Sequence, residues 1–182
     1  ICPERPAFHH PSFDYEHRIV TARLPEATVA SVYVPNGGKD FQAKMRFIQG
    51  LDQFAAACAT TGDTLLLGGD LNITRTDMDV HPKERKPRAI GQLPEERTAL
   101  EGVLAHGLVD VGRALAPEDD QLFTWWAPWR SMRQRNIGWR LDYVLASRVL
   151  AARATTCYSQ REVGTSDHAP VVMTLSGCET IT

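Results

Sequence analysis

The sequence predicts an α/β fold, on three observations. Leu65-Leu66-Leu67 is a short apolar run closed by Gly68-Gly69, the mark of a buried strand ending at a turn. Before it, residues 39–59 repeat apolar side chains at helical period. Phe41, Met45, Ile48, Leu51, Phe54, Ala55 and Cys58 fall on one stripe, and Thr61-Gly62 is the stop. Before that, residues 28–34 alternate, with Ala30, Val32 and Val34 on one face and Ser31 and Tyr33 on the other. Strand, helix, strand is the α/β order.

A chain of 182 residues suits one domain, and its apolar and charged fractions are those of a globular protein. The net charge of −2 gives no long-range pull on a polyanion, so nucleic acid would have to be met by local basic patches. The four cysteines at 2, 58, 157 and 178 show neither metal-ligand nor redox spacing, and read as reduced thiols of a cytoplasmic protein. No apolar run approaches the ~20 residues of a membrane span. The chain starts at Ile1, which reads as a processed product or a piece of something longer.

Taken in order, residues 1–16 are rich in proline and histidine without periodicity. They read as a lead-in loop, and the adjacent His9 and His10 as loop residues rather than metal ligands. Residues 17–182 form the domain. Strands are expected at 18–23 and 28–34 around a turn at Pro25-Glu26, with a break at Pro35-Asn36-Gly37-Gly38. After the helix and the leucine strand, residues 74–92 form a long polar loop carrying Lys83, Arg85, Lys86 and Arg88. Pro94-Glu95-Glu96 opens a helix that runs to His106-Gly107, proline and acidic residues both favouring a first turn. A short element surrounds Asp110. Residues 122–126 read as an aromatic strand, 127–139 as a loop, and 140–146 as an alternating strand with Asp142 in its interior. Residues 151–158 and 169–175 are the last strands, around a tight polar turn at 164–170.

Seven polar residues at strand ends need explaining: Tyr33, Asn36, Asp70, Asn72, Asp142, Asp167 and His168. Asp70 and Asn72, two apart, would project together from the end of a core strand; alternatively they only cap a turn. A carboxylate inside an apolar strand is costly without a partner, and His168 is the natural partner for Asp142. All four tryptophans lie between 125 and 139, interleaved with Arg130, Arg133 and Arg135. That density of arginine argues for a binding loop over simple core.

Four blocks then carry a resemblance: Tyr33-Val34-Pro35-Asn36, Gly69-Asp70-Leu71-Asn72, Asn136-Ile137-Gly138-Trp139-Arg140-Leu141-Asp142-Tyr143 and Ser166-Asp167-His168-Ala169-Pro170. Pro94-Glu95-Glu96-Arg97 and Phe123-Thr124-Trp125-Trp126 support them. In this order they resemble the exodeoxyribonuclease III family of abasic-site DNA repair endonucleases, within the endonuclease/exonuclease/phosphatase superfamily. The resemblance runs from residue 17 nearly to the end. It implies a four-layer α/β sandwich of the DNase I-like type, here incomplete. Family members begin with a further segment that carries a metal-binding glutamate, and nothing here matches it. Glu16 and Glu26 stand in the wrong context. Strands left without that segment would have unpaired edges, so the isolated chain is expected to be poorly stable or to need a partner, the missing first part being one candidate.

The resemblance implies hydrolysis of the phosphodiester 5′ to an abasic site in double-stranded DNA. Exonuclease (3′–5′) or 3′-phosphatase activity are further possibilities. Mg²⁺ is the implied cofactor, and oxygen ligands alone also admit Mn²⁺. Asp167 would be the metal ligand, with Asp70 and Asn72 beside it. Asp70 would orient and deprotonate the attacking water, and Asn72 would hold it. His168, fixed by Asp142, would donate to the phosphate, with Tyr33 beside it and Asn36 helping to position Tyr33 or the backbone. Trp125, Trp139 and Leu141 would line a pocket for the flipped, baseless sugar. Trp129 would wedge into the duplex, and Arg135 and Asn136 would contact DNA. The alternatives are a catalytically incomplete DNA-binding or partner-dependent remnant, and a phosphatase of lipid or sugar phosphates, against which the tryptophan and arginine loop argues.

Overall fold

A computed structural model describes residues 5–14 and 16–177. Six strands form the main sheet: β1 (Ala7–His9), β2 (Ile19–Arg23), β3 (Thr28–Tyr33), β4 (Leu65–Asp70), β5 (Leu108–Asp110) and β6 (Asp142–Ser147). Their order across the sheet is β1-β2-β3-β4-β6-β5. Among the described residues only β3 and β4 are parallel, and they are joined by helix α1 (Phe41–Thr61), a crossover of the kind parallel strands require. Helices α2 (Pro94–Ala105), α3 (Val111–Leu115) and α4 (Arg148–Ala151) follow. The hairpin of β7 (Ala154–Ser159) and β8 (Val171–Leu175) is a second sheet; among the described residues these two strands pair only with each other.

The alternation of side chains along β4 and β6 builds the layers. Leu65, Leu67, Tyr143 and Leu145 face α1 and α2, joining Phe47, Ile48, Leu51, Leu100 and Val103 in the largest core. Leu66, Val144 and Ala146 face the other way and pack with Cys157, Val171, Met173 and Leu175 of the hairpin. Helices, sheet and second sheet are three layers of the expected sandwich. Asp40 caps α1, its carboxylate accepting from the Ala43 N–H at 2.8 Å, and Gly62 ends it in the left-handed conformation.

Several expectations need correction. The lead-in is not all loop, because residues 7–9 pair with β2 as an edge strand. All three side chains are exposed, Phe8 by 67%, so main-chain bonding alone drives the pairing and leaves no apolar pattern to read. Residues 122–126 form no regular strand; Trp125 makes isolated bridges to Trp139 and His168 instead. Strand β4 runs through Gly68-Gly69 to Asp70, and Asp142 opens β6 rather than lying in its interior. Residues 148–151 turn as a helix before β7 begins. The stripe of α1 also hides a charge, for Lys44 is buried. Cys58 and Cys157 are free and buried, while Cys2 and Cys178 lie outside the described residues. Among the described residues no helix is long and apolar enough to cross a membrane.

Candidate active site

The site forms where β3 and β4 finish and β6 begins. Tyr33 pairs with Asp70 across the parallel strands, and Asp70 pairs with Asp142 across the antiparallel ones. Gly69 allows this convergence: at φ +144° a Cβ there would lie 1.9 Å from the Val32 carbonyl oxygen. Only glycine lets β3 and β4 approach so closely.

Asp70 and Asn72 do meet, through a turn rather than through strand alternation. Asn72 adopts φ +52°, and its main-chain N–H donates to Asp70 Oδ1 at 2.8 Å. Its side-chain amide donates to Asp70 Oδ2 at 3.0 Å and to the Val34 carbonyl at 3.0 Å. Asn36 Nδ2 donates to Asn72 Oδ1 at 3.1 Å. The cap role and the site role therefore coincide in the same two residues. Burial, then the like charge of Asp142, pushes the Asp70 carboxyl up to about 6, while the Asn72 N–H and the charges of His168 and Lys44 oppose the rise. A carboxylate so tuned is a far better base near neutrality than an ordinary one.

His168 Nδ1 lies 2.8 Å from Asp142 Oδ2. The hydrogen bond to Asp142 raises the imidazole pKa above its ordinary value, with the charges of Asp142, Asp70 and Asp167 adding to it and burial opposing. Its Nε2 has no protein partner among the described residues, and is left for a ligand. Thr124 Oγ1 accepts from the N–H groups of both Leu141 and Asp142 at 3.0 Å, which fixes where β6 starts. Behind it Arg140, 3% exposed, forks onto Asp110 at 2.8 and 2.7 Å and reaches Asp79 Oδ1 at 2.8 Å. Burial would raise the Asp79 carboxyl, yet the Arg140 charge and its hydrogen bonds leave it below the ordinary range.

Asp167 is exposed and held on one side, Trp125 Nε1 donating to its Oδ2 at 2.9 Å. That bond lowers its pKa, keeping it ionised. The Trp126 N–H donates to the Asp167 carbonyl at 3.0 Å, and the Ala169 N–H to the Thr124 carbonyl at 2.8 Å. Arg133 completes the link. Its guanidinium donates to the carbonyls of Arg161, Ser166 and Val163 at 2.7, 2.5 and 2.8 Å. The aromatic loop and the Ser-Asp-His turn are thus one body. Ionised Asp167 and Asp70 are hard oxygen donors, the ligand type of a cation such as Mg²⁺, which takes one or two carboxylates and keeps water and phosphate as its other ligands. Among the described residues no three His, Cys, Asp or Glu side chains cluster where they could hold a metal ion.

Of the other expected residues, Tyr33 is half exposed, with the Arg18 guanidinium 5.1 Å from its ring centre. Trp125 and Trp139 meet edge to face at 5.6 Å, with Leu141 buried beside the Thr124 anchor. Trp129 is 59% exposed at the tip of the loop, and Arg135 is exposed near it. Asn136 turns inward: its Oδ1 accepts from Trp126 Nε1 at 3.2 Å and its Nδ2 donates to Gln121 at 3.2 Å. Gly138 permits that packing, since a Cβ there would sit 2.5 Å from the Trp126 indole nitrogen. Lys83, Arg85, Lys86 and Arg88 stand on a loop built from two short 3-10 turns. Sequence reasoning missed Thr124, Arg133 and Lys44 as builders of the site. Each acts through main-chain groups of residues distant in sequence, and no local pattern announces that.

Comparison with known proteins identifies a family and a fold. The model of the Endonuclease/Exonuclease/phosphatase family matches residues 3–168. The chain is 33% identical over 167 residues to DNA repair nuclease APEX1 of Danio rerio, covering 90% of this chain and 53% of that protein. It is 30% identical over 174 residues to an exodeoxyribonuclease of Bacillus subtilis, covering 90% and 66%. It therefore spans about half to two thirds of the length of these curated relatives. The 3′–5′ exonuclease from Neisseria meningitidis superposes with a TM-score of 0.86 at 29% identity, over 93% of this chain and 71% of that one. An AP endonuclease from Archaeoglobus fulgidus gives 0.79 at 27% identity, over 87% and 65%. With its fold, its strand-end carboxylates and a family match across most of its length, this chain belongs to the endonuclease/exonuclease/phosphatase family.

Proposed function

We propose that this chain carries the greater part of the active site of a metal-dependent DNA repair nuclease that hydrolyses the phosphodiester 5′ to an abasic site. The observation that supports it best is the joint setting of Asp70, Asp142 and His168 at adjoining strand ends, the imidazole held through Nδ1 at 2.8 Å. Asp70, with its raised pKa, orients and deprotonates the attacking water. Asn72 holds Asp70 through both carboxylate oxygens. His168, protonated while it faces Asp142, donates from Nε2 to the phosphate as charge develops on it. Tyr33, exposed beside Asp70, offers a hydroxyl to the same phosphate, and Asn36 steadies Asn72. Asp167, with Asp70 and Asn72 as the further candidate ligands, would hold Mg²⁺ or Mn²⁺, whose charge would offset the phosphodiester's and ease departure of the 3′ oxygen. Trp125, Trp139 and Leu141 form the wall against which a baseless sugar fits. Trp129 and Arg135 reach the duplex, Asn136 supports the loop from within, and the Lys83 to Arg88 loop follows phosphates.

The test is a duplex oligonucleotide with one tetrahydrofuran abasic analogue, incubated with Mg²⁺ and then with EDTA. Metal-dependent nicking 5′ to the analogue, abolished in His168→Ala, is the expected result. Tight binding of the lesion with no nicking would instead mark a partner-dependent module. The shared length with the relatives makes that second reading concrete, and nicking restored by adding a separately made first part of a relative would support it.

A further inference from the structure

One buried charge beside the site makes no hydrogen bond to Asp70, Asp142 or His168. Lys44 lies in the first turns of α1, on the face turned to the sheet, and is 0% exposed. An ammonium withdrawn from water is costly unless it is paired and fully hydrogen-bonded. Here all three of its N–H bonds are used. Nζ donates to the Asn72 carbonyl at 2.8 Å, to the Asn36 carbonyl at 3.2 Å and to Glu96 Oε1 at 2.5 Å. Glu96 is equally buried, and its other oxygen accepts from the Gly91 and Leu93 N–H groups at 2.6 and 3.0 Å.

Stability alone gives no reason for this arrangement, because a buried ion pair can often be replaced by apolar side chains of similar volume without loss. An apolar pair could not donate to two carbonyls at once. Those carbonyls belong to Asn36 and Asn72, whose side chains are joined to each other, and Asn72 holds Asp70 through its main-chain N–H on Oδ1 and its side-chain amide on Oδ2. Asn72 is held at φ +52°, a conformation that a side-chain-bearing residue adopts at a cost and keeps only when its surroundings impose it.

We propose that Lys44, anchored by Glu96, is a positioning residue for the reaction: it pins the main chain of Asn36 and Asn72 so that the Asn72 amide holds Asp70 in its working orientation. The turnover readout rests on the nuclease reading above; the spectroscopic one does not.

The experiment compares Lys44→Met/Glu96→Gln, which removes the ammonium and leaves no lone buried charge, with Lys44→Arg, which keeps donors and charge. Each is measured for melting temperature, for kcat and KM on the abasic duplex, and for hydrogen exchange of the Asn72 side-chain amide by NMR. In the double variant kcat should fall roughly 10- to 100-fold, the scale of a misplaced catalytic group. KM should stay within about twofold, since substrate contacts remain. The Asn72 amide should lose its protection while the melting temperature stays near wild type. Lys44→Arg should recover a measurable part of kcat and of the protection. Unchanged kcat and protection in the double variant would overturn the proposal. So would a fall in kcat that merely follows the melting temperature across the variants with the Asn72 amide unaltered. Should the double variant not fold, Glu96→Gln alone decides: partial loss of kcat and protection supports the proposal, and no change in either sinks it. If the wild-type chain does not nick DNA, the nuclease reading fails, and Asn72 exchange by itself judges the positioning role.

Discussion

Asp70 and Asp142 are register partners across the antiparallel β4–β6 pair, and His168 Nδ1 stands 2.8 Å from the second of them. Two carboxylates and an imidazole therefore share one field, and it acts on the protonation of Asp70 and of His168. The Asp142 charge holds the His168 proton on and makes the Asp70 proton harder to remove.

This coupling fixes a pH prediction. Activity should rise as Asp70 ionises near pH 6 and fall at higher pH as His168 loses its proton. Asp142→Asn removes a charge that raises both pKa values, so both limbs should move to lower pH. Maximal kcat should drop roughly 100-fold with the loss of a well-held acid. The stability signs follow. His168, raised in the folded state, stabilises the fold fully below its unfolded pKa and loses that contribution as pH climbs through the folded value. Asp70, also raised, opposes folding progressively as pH rises from about 4 through about 6. Asp142→Asn should flatten both trends in urea titrations between pH 4 and pH 8.

Trp125 both faces Trp139 and donates its indole N–H to Asp167 at 2.9 Å. Trp125→Phe keeps an aromatic ring and removes the donor. The Asp167 pKa should rise toward the ordinary carboxylate value, and the Mg²⁺ concentration for half-maximal nicking should increase several-fold with little change in melting temperature. A shift in DNA affinity alone, at unchanged metal requirement, would mean that the indole serves only the sugar pocket.

Gly69 lies where β3 and β4 come closest. Gly69→Ala would drive a methyl group into the Val32 carbonyl at a φ of +144°. Backbone strain of that kind costs roughly 1–3 kcal/mol before the clash is counted. Denaturant midpoints should report a loss of about 3 kcal/mol or more, together with loss of nicking. Gly68→Ala is the control, because the nearest atom to its added Cβ is 3.7 Å away, an ordinary contact.

Much of this protein is legible along the chain. The leucine strand, the 21-residue α1 with its glycine stop and the proline-led α2 all announce themselves by period and cap. Local propensity and tertiary packing agree in those segments. The pairing of Asp142 with His168 is also readable, because a carboxylate beside apolar strand residues demands a partner and few are on offer. Residues 7–9 and 122–126 mislead for opposite reasons. Residues 7–9 pair as a strand through main-chain groups with every side chain in solvent. Residues 122–126 carry the composition of an aromatic strand but are bent to serve Trp139 and His168 at once.

By itself, then, the sequence determined the strands and helices that carry the main core and which polar residues sit at their ends, since period, caps and turns are written within a few neighbouring residues. Only the tertiary structure decided what those residues meet. That Lys44 reaches from α1 to two carbonyls, that Arg133 clasps a loop some thirty positions away, and that Asp70 keeps its proton to about pH 6 all depend on burial and on charges brought close by the fold. Electrostatics in a dry interior is set by distance in space, and distance along the chain does not record it.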